Sequence, residues 1–470
     1  MPVFLITLAY CFFIKNKQAE WSTNLYENEL SKNGVYSFFA AYRSNELDYY
    51  TFYPKLPEDE AMGIIKKELL QNNQEFIFSK DPFSIERNTT DSIAETQPNI
   101  VLICMESMSS DFMQRFGNKL NITPNLDRLA NENIVFNNMF ATGTRTVRGM
   151  EALTLCVPPT PGNSIVRRLN NDDIFSIANI FEQKNYTNYF IYGGDGYFDN
   201  MNTFFGGQGF KIVDRNRGNP LSDNIKTERI NIEDGEVLFE NAWGISDEDI
   251  FSKTLKIQDK NQDKNQKSFY YIMTTSNHKP YTFPPNKIDL PQGSRDAAVK
   301  YADFAIGNYL EKAKTKPWFK NTIFIIVADH CANSAGKWDI NINHHHIPAI
   351  IVNMPNQKYE INKLVSQIDL MPTVFGMLHW NYKTSLFGKD VNLMQKNEER
   401  ALIGNYRTLG LLSKNTFLQI NDKKQVTQYS VDKGEMTLSS KVDDSLKKKT
   451  IAYYQIASYR FNHNLMKNKN

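Results

Sequence analysis

Four residues with metal-ligand or nucleophile chemistry stand at three separated points of the chain. Glu106 and the adjacent Asp329 and His330 each follow a run of apolar residues, as polar groups do at the carboxyl ends of buried parallel strands. Open α/β sheets form their ligand crevices at those strand ends. Thr146 lies between them in sequence, and a hydroxyl beside a divalent cation can be deprotonated and act as a nucleophile. The four side chains therefore predict a single-metal centre.

Each of these residues also has a structural interpretation. A carboxylate at a strand end can be solvated, although burying Glu106 without a partner would be costly. Thr144 competes with Thr146 for the role of nucleophile, because threonine often caps or turns a loop. Arg145 and Arg148 match the geometry of phosphate oxygens, and solvation at the surface is the alternative for both.

The elements that would position these residues alternate between apolar strands and amphipathic helices. Helices are predicted at 124–131, 173–184, 247–258, 295–314 and 362–378. Strands are predicted at 99–105, 188–192, 268–274, 322–328 and 348–353. This order predicts an α/β fold with a doubly wound, mainly parallel sheet flanked by helices.

After residue 397 the pattern changes. Apolar runs at 402–412, 416–420 and 426–429 predict a short antiparallel sheet, and 450–461 predicts a closing helix. We expect a small C-terminal α+β subdomain over 398–470, packed on a catalytic domain at 98–397. No chemistry is assigned to the subdomain.

The amino-terminal part is polar and irregular after a first apolar run. Residues 3–14 are almost wholly apolar but are fewer than the roughly 20 residues that a membrane-spanning helix needs. A buried hydrophobic end is one interpretation of this run. Residues 20–97 are predicted to be a linker, with helices at 36–43 and 58–71 and an extended segment at 79–96.

Composition excludes some partners. The 54 basic and 52 acidic residues of this 470-residue chain leave a net charge of +2, which gives no reason to expect nucleic acid as a partner. The four cysteines have neither paired nor metal-type spacing, so they do not indicate a redox compartment. Cys331 follows the proposed ligand His330 and is interpreted as an inert buried thiol outside the metal shell.

Several motifs taken together resemble the alkaline phosphatase and sulfatase superfamily over about residues 97–380. The segment 123–130, Thr-Pro-Asn-Leu-Asp-Arg-Leu-Ala, resembles an early helix of that superfamily, and Asp329-His330 resembles its metal pair. Within the superfamily, Ala-Thr-Gly-Thr-Arg-Thr at 141–146 and Thr-Ser-Asn-His at 275–278 are most similar to the lipoteichoic acid synthase and phosphoglycerol transferase branch. The periplasmic phosphoethanolamine transferases are related to that branch.

The resemblance implies roles for individual residues. The Gly-Thr-x-Thr pattern of the phosphoethanolamine transferases places the nucleophile at Thr146. The family resemblance implies that the metal ligands are Glu106, Thr146, Asp329 and His330. It also implies that His278 lies beside the transferred phosphate. His346 corresponds to a substrate-side histidine. The run 344–346 could instead form a second metal site.

The sequence departs from the family pattern at one substrate motif. Lipoteichoic acid synthases use a Trp-Asn-Arg stretch to hold glycerol phosphate, whereas this chain keeps Asn200 but has Met201 in place of the arginine. Asn200 therefore stays a candidate substrate residue. The headgroup is left open between phosphoglycerol and phosphoethanolamine.

The resemblance implies a metal-dependent transferase that moves such a headgroup from a phospholipid donor to a glycan or lipid acceptor through a phosphothreonine. It implies one divalent cation, Mn²⁺ or Zn²⁺ with Mg²⁺ as an alternative, and a cell-membrane protein whose catalytic domain lies on the extracytoplasmic side. The resemblance also implies that 1–19 is a partial membrane helix or anchor and that 20–97 is the juxtamembrane segment that joins it to the enzyme. A phosphodiesterase or sulfatase-like hydrolase is the main alternative, although 156–160, Cys-Val-Pro-Pro-Thr, lacks the Ser and Arg of the sulfatase motif. A non-catalytic lipid-binding regulator is a further alternative.

Overall fold

The computed structural model describes residues 21, 22, 24–34, 47–215, 227–334, 336–355 and 358–468. The predicted anchor at 1–19 and the predicted helix at 36–43 lie outside these residues. Across the part of the chain that is described, no helix combines the length and the apolar character needed to cross a membrane.

The helices and strands of the described residues are numbered in chain order. The helices are α1 (Leu25–Ser31), α2 (Tyr49–Phe52), α3 (Glu58–Leu69), α4 (Pro124–Glu132), α5 (Thr146–Leu155), α6 (Ile177–Gln183), α7 (Met201–Gly207), α8 (Asp247–Asp263), α9 (Arg295–Lys314), α10 (Leu370–Met377) and α11 (Asp444–Asn462). The strands are β1 (Gln74–Phe76), β2 (Arg87–Thr89), β3 (Asn99–Met105), β4 (Ile134–Phe136), β5 (Met139–Phe140), β6 (Thr187–Tyr192), β7 (Lys211–Asp214), β8 (Arg229–Asn231), β9 (Glu240–Asn241), β10 (Gly244–Ile245), β11 (Ser268–Met273), β12 (Thr322–Ala328), β13 (Ala349–Val352), β14 (Glu360–Ile361), β15 (Val365–Ser366), β16 (Tyr382–Thr384), β17 (Ala401–Gly404), β18 (Thr408–Ser413), β19 (Thr416–Asn421), β20 (Val426–Asp432) and β21 (Glu435–Leu438).

A nine-stranded sheet forms the centre of the described structure, in the order β14-β4-β13-β12-β3-β11-β6-β7-β8. The six strands from β12 to β8 run parallel, and β13 is antiparallel to both of its neighbours. Strands β3, β11 and β12 are buried along almost their whole length, which explains why their sequences are continuously apolar. The predicted α/β fold with a mainly parallel sheet is confirmed.

Two predicted helices have different bounds in the structure. The helix predicted at 173–184 is reduced to α6, because Ser176 caps it by accepting a hydrogen bond from the Ala178 N–H and Asp173 has a left-handed φ of 50°. The helix predicted at 247–258 extends to Asp263. It also begins as the sequence indicates, with the Ser246 side chain accepting from the Asp249 N–H.

The helix predicted at 362–378 is wrong in its first half. Residues 365 and 366 form β15, which pairs in parallel with β5, and 367–369 form a single 3₁₀ turn. Only Leu370–Met377 form α10. The apolar periodicity of this segment continues through the strand and the turn, so periodicity alone could not separate them.

The segment before β3 is packed on the main domain from Leu47 onward. Strands β1 and β2 join β16 in a three-stranded sheet, so the stretch predicted as an extended linker contributes a strand. The fully buried Arg87 donates to the carbonyl oxygens of Ile85 and Leu386, at 2.8 and 2.9 Å. Helix α3 packs against α11 near the carboxyl end of the chain.

The C-terminal residues form the antiparallel sheet β17–β21 and helix α11. Two contacts tie this sheet to the main domain close to the loop before α5. The Arg400 guanidinium forms a fully buried bidentate ion pair with Asp369, and the Gly404 N–H donates to the Thr142 carbonyl at 2.8 Å. The C-terminal sheet therefore lies at the edge of the candidate site.

Candidate active site

Strands β3 and β12 bring three predicted ligands together. The strands are parallel neighbours in register, with Met105 opposite Ala328, so Glu106, Asp329 and His330 leave the sheet at the same edge. Their ligand atoms all lie within 4.8 Å of one another, and all three residues are buried. Among the described residues, the run 344–346 forms no such cluster.

Thr146 is the first residue of α5, and this helix points its amino-terminal end at the cluster. Thr146 Oγ1 donates to Glu106 Oε2 at 3.1 Å and lies 3.5 Å from His330 Nε2. The first N–H groups of a helix have no partner within the helix and favour an anion at that end. Gly149, one turn later, allows this approach, because a Cβ there would lie 2.6 Å from the Cα of Asp329.

The donor set fits one divalent cation. Asp329 Oδ1 accepts from the N–H groups of Ser107 and His330, at 2.8 and 2.6 Å, while its Oδ2 is buried without a hydrogen-bond partner. His330 Nδ1 lies 2.7 Å from the Cys331 carbonyl, which assigns the proton to Nδ1 and leaves the Nε2 lone pair facing the carboxylates. A buried carboxylate oxygen without a partner is costly, and a cation would satisfy it.

The pKa values of the cluster also indicate that it needs a cation. Burial, followed by the nearby Glu106 charge, raises the pKa of Asp329 well above its usual range. Burial would also raise the pKa of Glu106, but the hydrogen bond from His278 and the proximity of His330 outweigh it and lower that pKa to about 2. Burial lowers the pKa of His330, which keeps its imidazole neutral as a ligand must be. Two adjacent buried carboxyl groups need a proton or a cation between them.

A cleft of about 990 Å³ opens over the cluster and Thr146. His278 reaches into it from the loop after β11, with Nε2 3.2 Å from Glu106 Oε1, and its ring stacks on Trp243. Asp247 holds this loop, because its Oδ1 accepts from the N–H groups of Thr275 and Ser276 at 2.9 and 3.1 Å. Arg145 is exposed at the cleft wall. The arrangement can hold a phosphate ester between a hydroxyl nucleophile, an imidazole and a guanidinium.

Comparison with known proteins agrees with this geometry. The model of the Sulfatase family matches residues 98–380. This chain belongs to the sulfatase family. Phosphoglycerol transferase I of Salmonella choleraesuis (strain SC-B67) is 24% identical over 293 residues, which are 58% of this chain and 35% of the relative. The phosphoglycerol transferase I of Escherichia fergusonii is 25% identical over 292 residues, with the same coverage. The chain spans about a third of the length of these curated relatives.

Solved structures extend the likeness to most of this sulfatase-family chain. An alkaline phosphatase superfamily protein from Vibrio parahaemolyticus is 30% identical, with a TM-score of 0.79 over 89% of this chain and 99% of that one. The lipoteichoic acid synthase LtaP from Listeria monocytogenes has the same fold, with 19% identity and a TM-score of 0.63 over 88% of this chain and 100% of that one. The resemblance to the lipoteichoic acid synthase and phosphoglycerol transferase branch of the superfamily is confirmed.

His346 does not lie in the sulfatase-family cleft, contrary to the sequence-based expectation. Its Nε2 is 2.9 Å from the Asn137 carbonyl, and its ring contacts Phe116 and Phe140 with centroid distances of 4.9 and 5.3 Å. An isolated bridge with Phe140 fixes its backbone. The structure therefore does not bring His346 into the cleft lining, and its substrate-side role stays a prediction.

Two other predicted substrate residues are engaged elsewhere. Arg148 is buried, pairs with Glu151 at 2.8 Å and donates to the carbonyl oxygens of Thr160 and Gly162 at 2.6 Å. These contacts hold the loop after α5, and Arg148 also lines the cleft, so its contact with phosphate stays a prediction. Asn200 donates to the Val166 carbonyl at 2.9 Å and lines a neighbouring groove, not the catalytic cleft.

The cleft also contains residues that the sequence did not indicate. Trp243 lines it from the turn between β9 and β10, Arg295 from the first residue of α9, and Asn405, Tyr406 and Arg407 contribute from the turn between β17 and β18. No sequence signal points to Trp243, which is a single residue in a turn, or to Arg295, which reads only as the start of a helix. The turn between β17 and β18 lies more than two hundred residues after Thr146 in the sequence. It reaches the cleft only because the C-terminal sheet packs on the main domain.

Proposed function

We propose that this chain is a metal-dependent transferase that moves a phosphoglycerol or phosphoethanolamine headgroup from a phospholipid to a glycan or lipid acceptor through a phosphothreonine. The observation that carries the proposal is Thr146 Oγ1 at the amino-terminal end of α5, 3.1 Å from Glu106 Oε2 in the cluster with Asp329 and His330. Similarity to phosphoglycerol transferase I supports the reaction class and favours phosphoglycerol as the headgroup.

The first half-reaction is cleavage of the donor. Glu106, Thr146, Asp329 and His330 would hold one Mn²⁺ or Zn²⁺, or Mg²⁺, which when bound lowers the pKa of the threonine hydroxyl and neutralises phosphate charge. Thr146 Oγ1 attacks the phosphorus of the phosphodiester, and the bond between phosphorus and the diacylglycerol oxygen breaks. Diacylglycerol leaves with a proton, and the headgroup phosphate stays on Thr146. The free N–H groups of α5 and the Arg145 guanidinium stabilise the phosphate oxygens.

The second half-reaction regenerates the threonine. An acceptor hydroxyl attacks the same phosphorus, the bond to Thr146 Oγ1 breaks, and the threonine oxygen regains a proton. His278 is placed to carry the proton, because its imidazole reaches into the cleft beside Glu106. Transfer to water instead of an acceptor would make the protein a phosphodiesterase.

The donor sets the location of the reaction. A phospholipid with two acyl chains is cleaved where it resides, so we place the catalytic domain at the surface of the cell membrane, on the extracytoplasmic side that the family resemblance implies. Residues 98–397 would be the catalytic domain and 398–470 the subdomain packed on it, with 1–97 as the connection to the membrane.

Labelled phosphatidylglycerol and phosphatidylethanolamine test the proposal directly. The purified protein with Mn²⁺ should release diacylglycerol from one of them, and Thr146→Ala should lower the rate by about 1,000-fold or more, as loss of a nucleophile does. Thr144→Ala is the matched control and should stay within about fivefold of the parent, since turn-forming threonines are replaceable. Release that is equally fast in Thr146→Ala would refute the phosphothreonine. Free headgroup phosphate in the presence of acceptor would identify a hydrolase.

A further inference from the structure

Five arginines line the catalytic cleft, and they differ in whether a carboxylate neutralises them. Three are paired, and the pairs are Arg148–Glu151, Arg167–Asp199 and Arg407–Asp422. The guanidinium groups of Arg145 and Arg295 have no hydrogen-bond or ion-pair partner among the described residues. Arg145 is exposed and can be hydrated, whereas Arg295 is partly buried. Arg295 is therefore the unpaired cation that needs an explanation.

Arg295 is held in place, but its charge is not neutralised. It is the first residue of α9, and Ser294 caps this helix by accepting from the Ala297 N–H at 3.2 Å. The Arg295 guanidinium carbon lies 5.1 Å from the centroid of the Tyr281 ring, and Nη1 is buried without a hydrogen-bond partner. The amino-terminal end of a helix favours anions, so a lone cation there is unfavourable. A partly buried guanidinium in this position lacks an anion.

The charge of Arg295 acts on the metal-ligand end of the cleft. Burial is the main cause of the lowered pKa of His330, and the positive charges of Arg145 and Arg295 lower it further. Both arginines line the same cleft as Thr146. They belong to different elements, because Arg145 is the residue before α5 and Arg295 begins α9. An anion that contacts both would be held by two independent segments.

The position at which the lipoteichoic acid synthases have an arginine does not supply this charge. Met201 is 1% exposed and lines neither the cleft nor the groove that contains Asn200. Arg167, which lines both spaces, is already paired with Asp199. A transferred phosphate in this cleft therefore needs a guanidinium partner from another element, and Arg295 is the partly buried arginine without one.

A purely structural role does not explain why this residue is charged. Arginine can pack its stem and its flat head against an aromatic ring, as Arg295 does on Tyr281. An uncharged side chain of similar length would cover the ring equally well and would not leave a buried donor without a partner. The unpaired charge is accounted for if an anionic ligand completes it.

We propose that Arg295 binds the phosphate of the donor phospholipid, and then of the phosphothreonine, together with Arg145. The proposal rests on the transferase function above and adds to it a residue that contacts the substrate. Arg295 donates hydrogen bonds to non-bridging phosphate oxygens while Thr146 Oγ1 attacks the phosphorus. Two guanidinium groups from separate elements stabilise the negative charge on these oxygens and fix the orientation of the phosphate.

Binding can be measured without turnover. Glycerol phosphate and phosphoethanolamine are titrated calorimetrically, with Mn²⁺ present, into the Thr146→Ala protein alone and combined with Arg295→Ala. We expect at least one ester to bind and Arg295→Ala to weaken it by about tenfold or more, the effect of losing a charge-assisted hydrogen bond. Arg128→Ala removes the same charge from α4, outside the cleft, where Arg128 pairs with Glu132, and should change the affinity less than about twofold. No binding of either ester, or equal binding by the Arg295→Ala protein, overturns the proposal.

Two further measurements distinguish contact with phosphate from support of the loop. Arg295→Lys keeps a positive charge and a long stem but loses the two-pronged donor geometry, so its affinity should lie between those of the parent and Arg295→Ala. Guanidinium ion, added below the concentration that unfolds the protein, should restore part of the binding in Arg295→Ala and none in a protein that has Arg295. Affinity that is lost equally in both variants and is not restored by guanidinium would assign Arg295 a structural role and overturn the proposal.

Donor cleavage in the Thr146-containing protein separates this proposal from the function beneath it. Arg295→Ala should lower kcat/KM for diacylglycerol release by about 30-fold or more, and Arg128→Ala should leave it unchanged. If no Thr146-dependent diacylglycerol is released at all, the transferase function fails, whatever the binding of the phosphate esters shows. If diacylglycerol is released with an unchanged kcat/KM in Arg295→Ala, the proposal for Arg295 alone fails.

Discussion

Trp243 and His278 stack face to face, with ring centroids 4.0 Å apart and ring planes inclined by 11°. The imidazole Nε2 lies 3.2 Å from Glu106 Oε1, and the indole N–H donates to the Lys279 carbonyl. The indole is thus fixed to the loop that carries His278, and it restricts how the imidazole can turn. Trp243, from a different loop, therefore sets the orientation of His278, the proton carrier that we propose.

Removing this stack should reduce turnover more than substrate affinity. Trp243→Ala frees the His278 ring, and we expect kcat for donor cleavage to fall about tenfold, since misplacing an acid–base group costs a large part of its effect. Trp243→Phe keeps a flat ring and should retain most of the rate. Steady-state release of diacylglycerol in the presence of acceptor measures both variants. An undiminished kcat in Trp243→Ala would show that the stack does not position His278.

Metal removal should abolish activity and also lower stability. A ligand that binds only the folded state stabilises it, by about 2.7 kcal/mol at a concentration 100 times its Kd. Mn²⁺ or Zn²⁺ added to chelator-treated protein should therefore raise the Tm, and Asp329→Asn should eliminate that rise. The amide oxygen of the Asp329→Asn variant can replace the carboxylate oxygen that accepts from the Ser107 and His330 N–H groups, so we expect this variant to fold without metal. The Tm of the metal-free variant is the control. An equal Tm rise in the variant would place the cation elsewhere.

The Gly149→Ala variant tests whether activity requires the close approach of α5 to the end of β12. A Cβ at this position would lie 2.5 Å from the Asp329 carbonyl oxygen, so Gly149→Ala must displace the helix that begins with Thr146. We expect a stability loss of about 1–3 kcal/mol from overpacking together with a large loss of kcat. Gly63→Ala in α3 is the matched control, because nothing lies within 4 Å of its Cβ. It should gain about 0.5–1 kcal/mol as glycine-to-alanine changes in helices do. Denaturant titration and the donor assay would distinguish the two, and equal behaviour would refute the close approach.

Asp390 should make the fold less stable as pH rises. Burial raises the pKa of Asp390 to about 7, so the folded state keeps a proton that the unfolded chain has lost above about pH 4. Stability contributed by this group is present at low pH and is lost between about pH 4 and 7. Asp390→Asn should therefore exceed the parent in stability by about 2–4 kcal/mol at pH 8 and by much less at pH 5.

Denaturant titrations at both pH values measure this difference. A gain for Asp390→Asn that is the same at pH 5 and pH 8 would contradict the raised pKa.

The sequence was sufficient to predict the elements that carry the metal cluster. Strands β3 and β12 were predicted with the bounds that the structure shows, because fully buried parallel strands leave continuous apolar runs that end at Glu106 and Asp329. Adjacency of the two strands could not be read from periodicity and came from the family resemblance. The 362–378 segment shows where periodicity fails to predict secondary structure, because a strand, a turn and a helix there share one apolar pattern.

Substrate residues were harder to predict than ligands. His346 precedes a buried strand as the ligands follow theirs, but its ring packs against Phe116 and Phe140, and its Nε2 lies 2.9 Å from the Asn137 carbonyl. For Arg148 a signal was present, because Glu151 stands three residues later on the same helix and pairs with it. Trp243 has no local signal, since its role arises only where two distant loops meet at His278.

The most direct test of the account is to trap the covalent intermediate on Thr146. The protein is mixed with donor phospholipid and Mn²⁺ without acceptor, quenched in acid and digested, and the peptide containing residues 144–146 is examined by mass spectrometry. The account predicts a headgroup phosphate on Thr146 that disappears when acceptor is added before quenching and that does not form when a chelator is added before the donor. Rapid donor cleavage without any adduct, retained in Thr146→Ala, would contradict it.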